Sequence, residues 1–311
     1  MEKTRPFLFI SCLLLALLFF SCDDSEKPDL PTSAIIHYSV ADKKVAFTAL
    51  TTNADSYSWD FGDGQTSTDP NPVHEYETGG YYKATLTVSG GTGSVSDEAD
   101  LAVALTPYVL LTGGPTAESG KTWKLSAAHS DKDIFANADA DFSIVNGPLQ
   151  QGIFDLALGM GEVYTDEFTF HFDGTYEHDV KDDGAAFGGL VYQLILNGGA
   201  DIVNDNGKDF GLCTAKYTPE SGATFTYVEQ EDFTVSSVHG PGGSLTFSGV
   251  STLDFSGTEF VGFRDFQRKV MVQEITDSSM RIVMFMAGGF EDPAIIGINT
   301  HALILTFEVV G

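Results

Sequence analysis

Tyr57-Ser58-Trp59-Asp60-Phe61-Gly62-Asp63-Gly64, running on through Gln65-Thr66-Ser67-Thr68-Asp69-Pro70-Asn71-Pro72-Val73-His74-Glu75-Tyr76, decides the fold of the first part of the chain. Tyr57, Trp59 and Phe61 are spaced by two, so on an extended strand they share one face. Gly62, Asp63 and Gly64 then supply a turn, with glycines that tolerate positive φ and a carboxylate that can accept from its own backbone. His74 and Tyr76 share a face in the next segment. The alternation extends both ways, through Val45, Phe47 and Ala49 before the motif and Tyr82, Ala84, Leu86 and Val88 after it. Residues 34–105 are therefore expected to form a seven-stranded immunoglobulin-like sandwich. Trp59 is expected in its core, and His74 packed rather than catalytic.

The same stretch resembles the signature of PKD domains over nearly the full length of that family. The resemblance implies a spacer or interaction module, in some members a calcium binder, with no chemistry of its own.

The N-terminus reads as a targeting segment. Lys3 and Arg5 precede an apolar run from Phe7 to Phe20, too short to span a bilayer comfortably and of the length of a signal-peptide core. Leu18-Phe19-Phe20-Ser21-Cys22 resembles a bacterial lipobox, which implies a signal peptide over 1–21 and lipidation at Cys22. Cys22-Asp23-Asp24-Ser25-Glu26 is similar to the acidic export signal of lipoproteins displayed on the surface of glycan-degrading Gram-negative bacteria. Residues 22–33 hold Pro28 and Pro31 with little to bury, and read as an acidic, extended tether. The expected location is the outer membrane, lipid-anchored and facing outward. After removal of Cys12 and acylation of Cys22, only Cys213 remains as a thiol, so no disulfide is expected within one chain.

Composition sets limits on partners. Acidic residues outnumber basic ones 44 to 16, for a formal charge of −28. Such a chain repels phosphate backbones, which excludes nucleic acid as a partner, and equally disfavours polyanionic polysaccharides. The 33 glycines and 24 phenylalanines point to turns and strands.

Thr106 to Gly120, with two prolines and Gly113-Gly114, marks a boundary. Beyond it, residues 106–311 show strand after strand: Trp123 to Ala127, Phe168-Phe170-Phe172 turning at Asp173-Gly174 into Tyr176, then Phe225 and Tyr227, Leu245 and Phe247, Val270 to Ile275, Met280 to Met286, and Leu303-Leu305-Phe307-Val309. A larger, jelly-roll-like β-sandwich is expected, with a closed up-and-down barrel as the alternative. Ala185 to Gly222 is glycine-rich and irregular, and reads as a long loop.

The combination of surface lipoprotein, PKD spacer and β-sandwich tail resembles surface glycan-binding proteins of polysaccharide-utilisation systems. It implies non-catalytic binding of a neutral polysaccharide by the second domain, beside an outer-membrane glycan transporter. Sugar rings stack on aromatic faces while their hydroxyls need polar partners. Tyrosine tolerates exposure, so Tyr164, Tyr176, Tyr192, Tyr217 and Tyr227 are the binding candidates. Asn137, Asp139 and Asp141 are spaced for one face of an extended loop and could hold calcium through oxygen. Neither a Gly-x-Ser-x-Gly elbow nor a His-Glu-x-x-His helix is present. His171 and His178 read as isolated and solvent-facing. A glycoside hydrolase or accessory enzyme with an unrecognised site, and a protein-adhesion module, remain the alternatives.

Overall fold

The computed structural model describes residues 30–289 and 296–311. The expected signal peptide, Cys22 and the tether as far as residue 29 lie outside the described residues.

The first domain has seven strands: β1 (Ser33–Ala41), β2 (Lys44–Thr52), β3 (Ser56–Asp60), β4 (Thr66–Ser67), β5 (Val73–Glu75), β6 (Gly80–Gly90) and β7 (Gly93–Val103). They form two antiparallel sheets, β1-β2-β5 and β4-β3-β6-β7. Between them lie Val45, Phe47, Trp59, Phe61, Tyr76, Leu86 and Val88. Trp59 is fully buried, 5.1 Å from the ring of Phe47, and its indole N–H donates to the carbonyl of Asp69 at 3.0 Å. The motif's acids stabilise their own loop. Asp60 accepts from the amide of Gly62 at 2.9 Å, and Asp63 accepts from that of Gln65 at 3.0 Å. The other oxygen of Asp63 meets His74 at 2.7 Å, and His74 stacks on Phe61 with centroids 4.1 Å apart. Gly62 sits at φ 78°, and a Cβ there would lie 2.5 Å from the carbonyl of Lys83. The turn therefore requires glycine for conformation and for room.

A short helix, α1 (Pro107–Thr112), opens the second domain. Thr106 caps it, Pro107 fixes its first turn and Gly113 ends it in the left-handed conformation. Strands β8 (Lys121–Leu125), β9 (Ile134–Asn137) and β10 (Ile144–Asn146) follow, then α2 (Ile153–Leu158), β11 (Glu167–Phe170) and β12 (Tyr176–Asp179). Next come β13 (Ala185–Gly189), α3 (Leu190–Asn197), β14 (Ile202–Asn204) and β15 (Leu212–Lys216). The chain closes with β16 (Phe225–Ser236), β17 (Ser244–Phe255), β18 (Val270–Ile275), β19 (Ser279–Met286) and β20 (His301–Val309).

Ten of these strands make one antiparallel sheet in the order β12-β11-β8-β20-β19-β18-β17-β16, with β9 beside β20 and β10 beside β9. The sheet curls until its outer strands touch at one end: Thr175 bridges Thr224, and the amide of Tyr176 donates to the carbonyl of Ala223 at 2.9 Å. The all-β expectation holds for both domains, the second being a larger β-sandwich or half-barrel. From β16 to β20 each strand pairs with its chain neighbour, and β8 lies between β20 and β11 to continue the roll.

The concave side holds the main core. Trp123, Phe168, Phe170, Met280, Leu305 and Phe307 line it, and Phe154, Met160, Phe187 and Phe263 fill it from outside the sheet. At Gly262 (φ 69°) an added Cβ would come within 2.4 Å of Phe307. On the convex side the long, bulged β16–β17 hairpin folds back, so that Phe233, Val235, Leu245 and Phe247 pack with Phe142, Val283 and Phe285 as a second core.

The region expected to be a long loop is ordered into β13, β14, β15 and α3, with the three strands in a small sheet. Its glycines serve as punctuation: Gly198 (φ 70°) ends α3, and Gly188 and Gly189 lie within β13, where the backbone runs close to Arg264 and Asp265. The short apolar runs there contain no long period, which is why the pattern read as loop.

Candidate functional site

The five candidate tyrosines separate sharply. Tyr176 is buried inside the half-barrel and donates to the carbonyl of Phe260 at 2.6 Å, so neither face of its ring meets solvent. Tyr227 lies half-buried against the large core, near Tyr108. Tyr164 closes a buried relay. Its hydroxyl meets His129 Nε2 at 2.9 Å, His129 Nδ1 meets Asp133 at 2.9 Å, and Asp133 also accepts from Ser130 and Thr306. The side chains of His129 and Asp133 have no exposure, so this arrangement ties β20 to the segment before β9 and has no access to a substrate.

Tyr192 and Tyr217 come together through a residue the sequence reading passed over. The guanidinium of Arg264 lies 5.4 Å from the ring centroid of Tyr192, on α3, and 4.6 Å from that of Tyr217, just after β15. Tyr217 is itself buried. Tyr192 is half-buried and meets Phe266 edge-on at 5.1 Å, and Phe266 is exposed. Phe266 in turn forms one wall of an open, polar groove of about 470 Å³. Glu231, Asp232 and Thr234 of β16, Asp254 of β17, and Gln267, Arg268 and Lys269 line the rest. Exposed aromatic surface thus adjoins a row of carboxylates, an amide and cations.

Lys269 at 2.6 Å, with help from the Thr252 hydroxyl, holds the carboxyl of Glu231 below the usual range, so it is an ionised acceptor. Two carboxyls are pushed the other way. Burial, with Asp183, Asp179 and Glu162 nearby, raises Asp166 to about 8, and burial raises Asp265 to about 7. Both are buried beneath the surface, Asp265 with one oxygen against Gly189.

The remaining expectations need correction or placement. The oxygens of Asp139 are engaged by their own loop, accepting from the amides of Asp141 and Ser143 and from the Ser143 hydroxyl, while Asn137 donates to that hydroxyl. These bonds hold the Asp139 carboxyl low. Among the described residues no group of three His, Cys, Asp or Glu is placed to hold a metal ion. His178 does not face solvent: its side chain has no exposure and meets Glu259 at 3.3 Å. Cys213 is buried, and burial raises its thiol to about 12.

A family model described as PKD domain matches residues 31–105. Residues 31–105 are a PKD domain. Collagenase ColQ1 of Bacillus cereus (strain Q1) is 58% identical over 41 residues, 13% of this chain and 4% of the collagenase. Pre-pro-metalloprotease PrtV of Vibrio cholerae serotype O1 is 30% identical over 100 residues, 32% of this chain and 11% of the protease. The chain thus spans a small part of the curated relatives it matches. Among solved structures, the PKD1 domain of the Vibrio cholerae metalloprotease PrtV is 32% identical, covering 24% of this chain and 100% of that one at a TM-score of 0.24. A carbohydrate-binding module of the β-sandwich superfamily covers 91% of this chain and 93% of its own at 14% identity and a TM-score of 0.24, too distant to carry an argument.

Proposed function

We propose that this chain is a non-catalytic binding protein: the second domain holds a polysaccharide at the Tyr192–Phe266 surface and its adjoining groove, and the PKD domain presents it. In this reading Cys22 carries the lipid anchor in the outer membrane, residues 23–33 form the tether, and an outer-membrane glycan transporter is the neighbouring partner.

The observation that carries the reading is the convergence of Tyr192, Phe266 and the polar groove. A sugar needs an apolar face for its C–H groups and, within a few ångströms, donors and acceptors for its hydroxyls. Phe266 supplies the first at the edge of Glu231, Asp254, Gln267 and Arg268, which supply the second. The distribution of carboxyl pKa values supports binding over hydrolysis. A glycosidase requires a proton-donating carboxyl in reach of the sugar bond. Among the described residues of this domain the raised carboxyls, Asp166 and Asp265, are buried, and Glu231 at the groove is ionised.

The test is affinity electrophoresis of residues 23–311 in gels containing β-glucan, mannan, xylan or starch, followed by a reducing-sugar assay. Retardation without new reducing ends is the expected result. New reducing ends would make the domain an enzyme, and free migration in every gel would leave adhesion as the better account.

A further inference from the structure

Among the described residues Arg264, like Lys43, Lys208, Lys216 and Arg268, lacks the carboxylate partner that most bases of this acidic chain have, and its Nε is in addition buried. Lys44, Lys83, Lys121, Lys181, Lys269 and Arg281 all sit within 4 Å of a carboxylate. Among the described residues Arg264 forms no ion pair and its side chain donates no hydrogen bond. Its Nε is buried without a partner. Glu259, which like Arg264 lies beside Tyr217, is engaged by His178 and by the amide of Glu220. The side chain is held by Tyr192 and Tyr217, whose ring faces attract the cation without occupying its N–H groups. A guanidinium fixed in this way leaves the N–H groups of its two terminal nitrogens unbonded while Nε stays buried, and that fork of two nitrogens matches a carboxylate.

We propose that Arg264 receives a carboxylate carried by the glycan. The ligand class is then an otherwise neutral polysaccharide bearing isolated uronic-acid substituents. This inference rests on the binding reading above and sharpens it. The formal charge of −28 selects sparse over dense acidity. A chain charged at every sugar is repelled along its whole length, whereas a single carboxylate facing an unpaired Arg264 gains a charge-assisted contact while its neutral neighbours lie on Phe266 and the groove.

The experiment uses residues 23–311 with glucuronoxylan and gum arabic as probes, each in native and carboxyl-reduced form, with alginate as the densely charged comparison. The expected result is retardation by a native polymer that weakens about tenfold on carboxyl reduction, a difference of about 1.4 kcal/mol, with no retardation by alginate. Arg264→Gln should abolish the difference between native and reduced polymer. Arg264→Lys, which keeps the charge and loses the fork, should retain only part of it and guards against a folding defect in the glutamine variant. Equal retardation by native and reduced polymer, or an unchanged preference in Arg264→Gln, overturns the role of Arg264 and leaves the binding reading standing. Free migration in these gels, as in those of the neutral panel, overturns both.

Discussion

The hydroxyl of Tyr81, on β6 of the PKD domain, donates to the carboxylate of Asp277, in the β18–β19 turn of the second domain. The same carboxylate lies 3.4 Å from the ammonium of Lys121, which also donates to the carbonyls of Asp277 and Leu110. Thr116 adds a bond to the carbonyl of Tyr81, and Gly80 lies so close to Pro115 that a Cβ would meet it at 2.9 Å. The PKD domain is therefore joined to its neighbour by side chains as well as by the linker.

Removing Asp277 should loosen this joint. Burial lowers the Lys121 ammonium from its usual range, and Asp277 is the group that opposes the shift. Asp277→Ala removes the counter-ion and leaves that ammonium on the two carbonyls alone, at a cost of roughly 0.5–1 kcal/mol. The expected outcome is two resolved thermal transitions where the wild type shows closer coupling, with a larger radius of gyration by small-angle scattering. Tyr81→Phe should give the milder version.

Trp59→Ala should cost roughly 3–5 kcal/mol in the PKD domain, because it empties a fully buried site and leaves the carbonyl of Asp69 without its donor. Calorimetry checks it. A variant that melts like the wild type would contradict the packing described.

The tyrosines should divide by role. Phe266→Ala and Tyr192→Ala are expected to weaken polysaccharide binding about tenfold, in line with roughly 1–1.5 kcal/mol for an aromatic contact, and to leave the melting temperature nearly unchanged. Tyr176→Ala should destabilise the half-barrel by roughly 3–5 kcal/mol and reduce binding only by unfolding. Titration calorimetry beside thermal denaturation separates the two.

Stability should fall as pH rises. Asp166 and Asp265 titrate near 8 and near 7 when folded, against an ordinary carboxyl value of 3.8. Between about pH 4 and pH 8 the folded state therefore holds protons that the unfolded state has released, and the slope of unfolding free energy with pH is negative. The contribution is complete below about pH 4 and lost as pH passes through 7 to 8. Asp166→Asn and Asp265→Asn should flatten the decline, measured by urea denaturation at pH 5, 6, 7 and 8.

Much of the architecture was legible because it is local. The Trp59-Asp60-Phe61-Gly62-Asp63-Gly64 run carries its own strand, turn and acceptors within a few residues. The rolled-up order of the second domain was not, since it depends on β8 meeting β20 across most of the domain's length. The site was legible only in part. Tyr176 and Tyr192 have similar prospects as letters in a sequence; one faces the inside of a curled sheet and the other sits on a short helix. Arg264 belongs to a segment with no period at all, and its neighbours Tyr192 and Tyr217 arrive from a helix and from the end of a strand far back in the chain. The one available signal was a base in a chain short of bases.

The filled interior of the half-barrel has a consequence for what kind of guest it can receive. A hollow calyx threads or swallows its ligand and so needs a small molecule or a free chain end. Here Phe154, Phe187 and Phe263 occupy that space, and the groove beside Phe266 opens to solvent. On the proposed binding reading a polymer would be gripped along its backbone without an end to feed in, so the number of places to grip would grow with polymer length. An array of such proteins would then retain long chains far more strongly than short fragments of the same repeat.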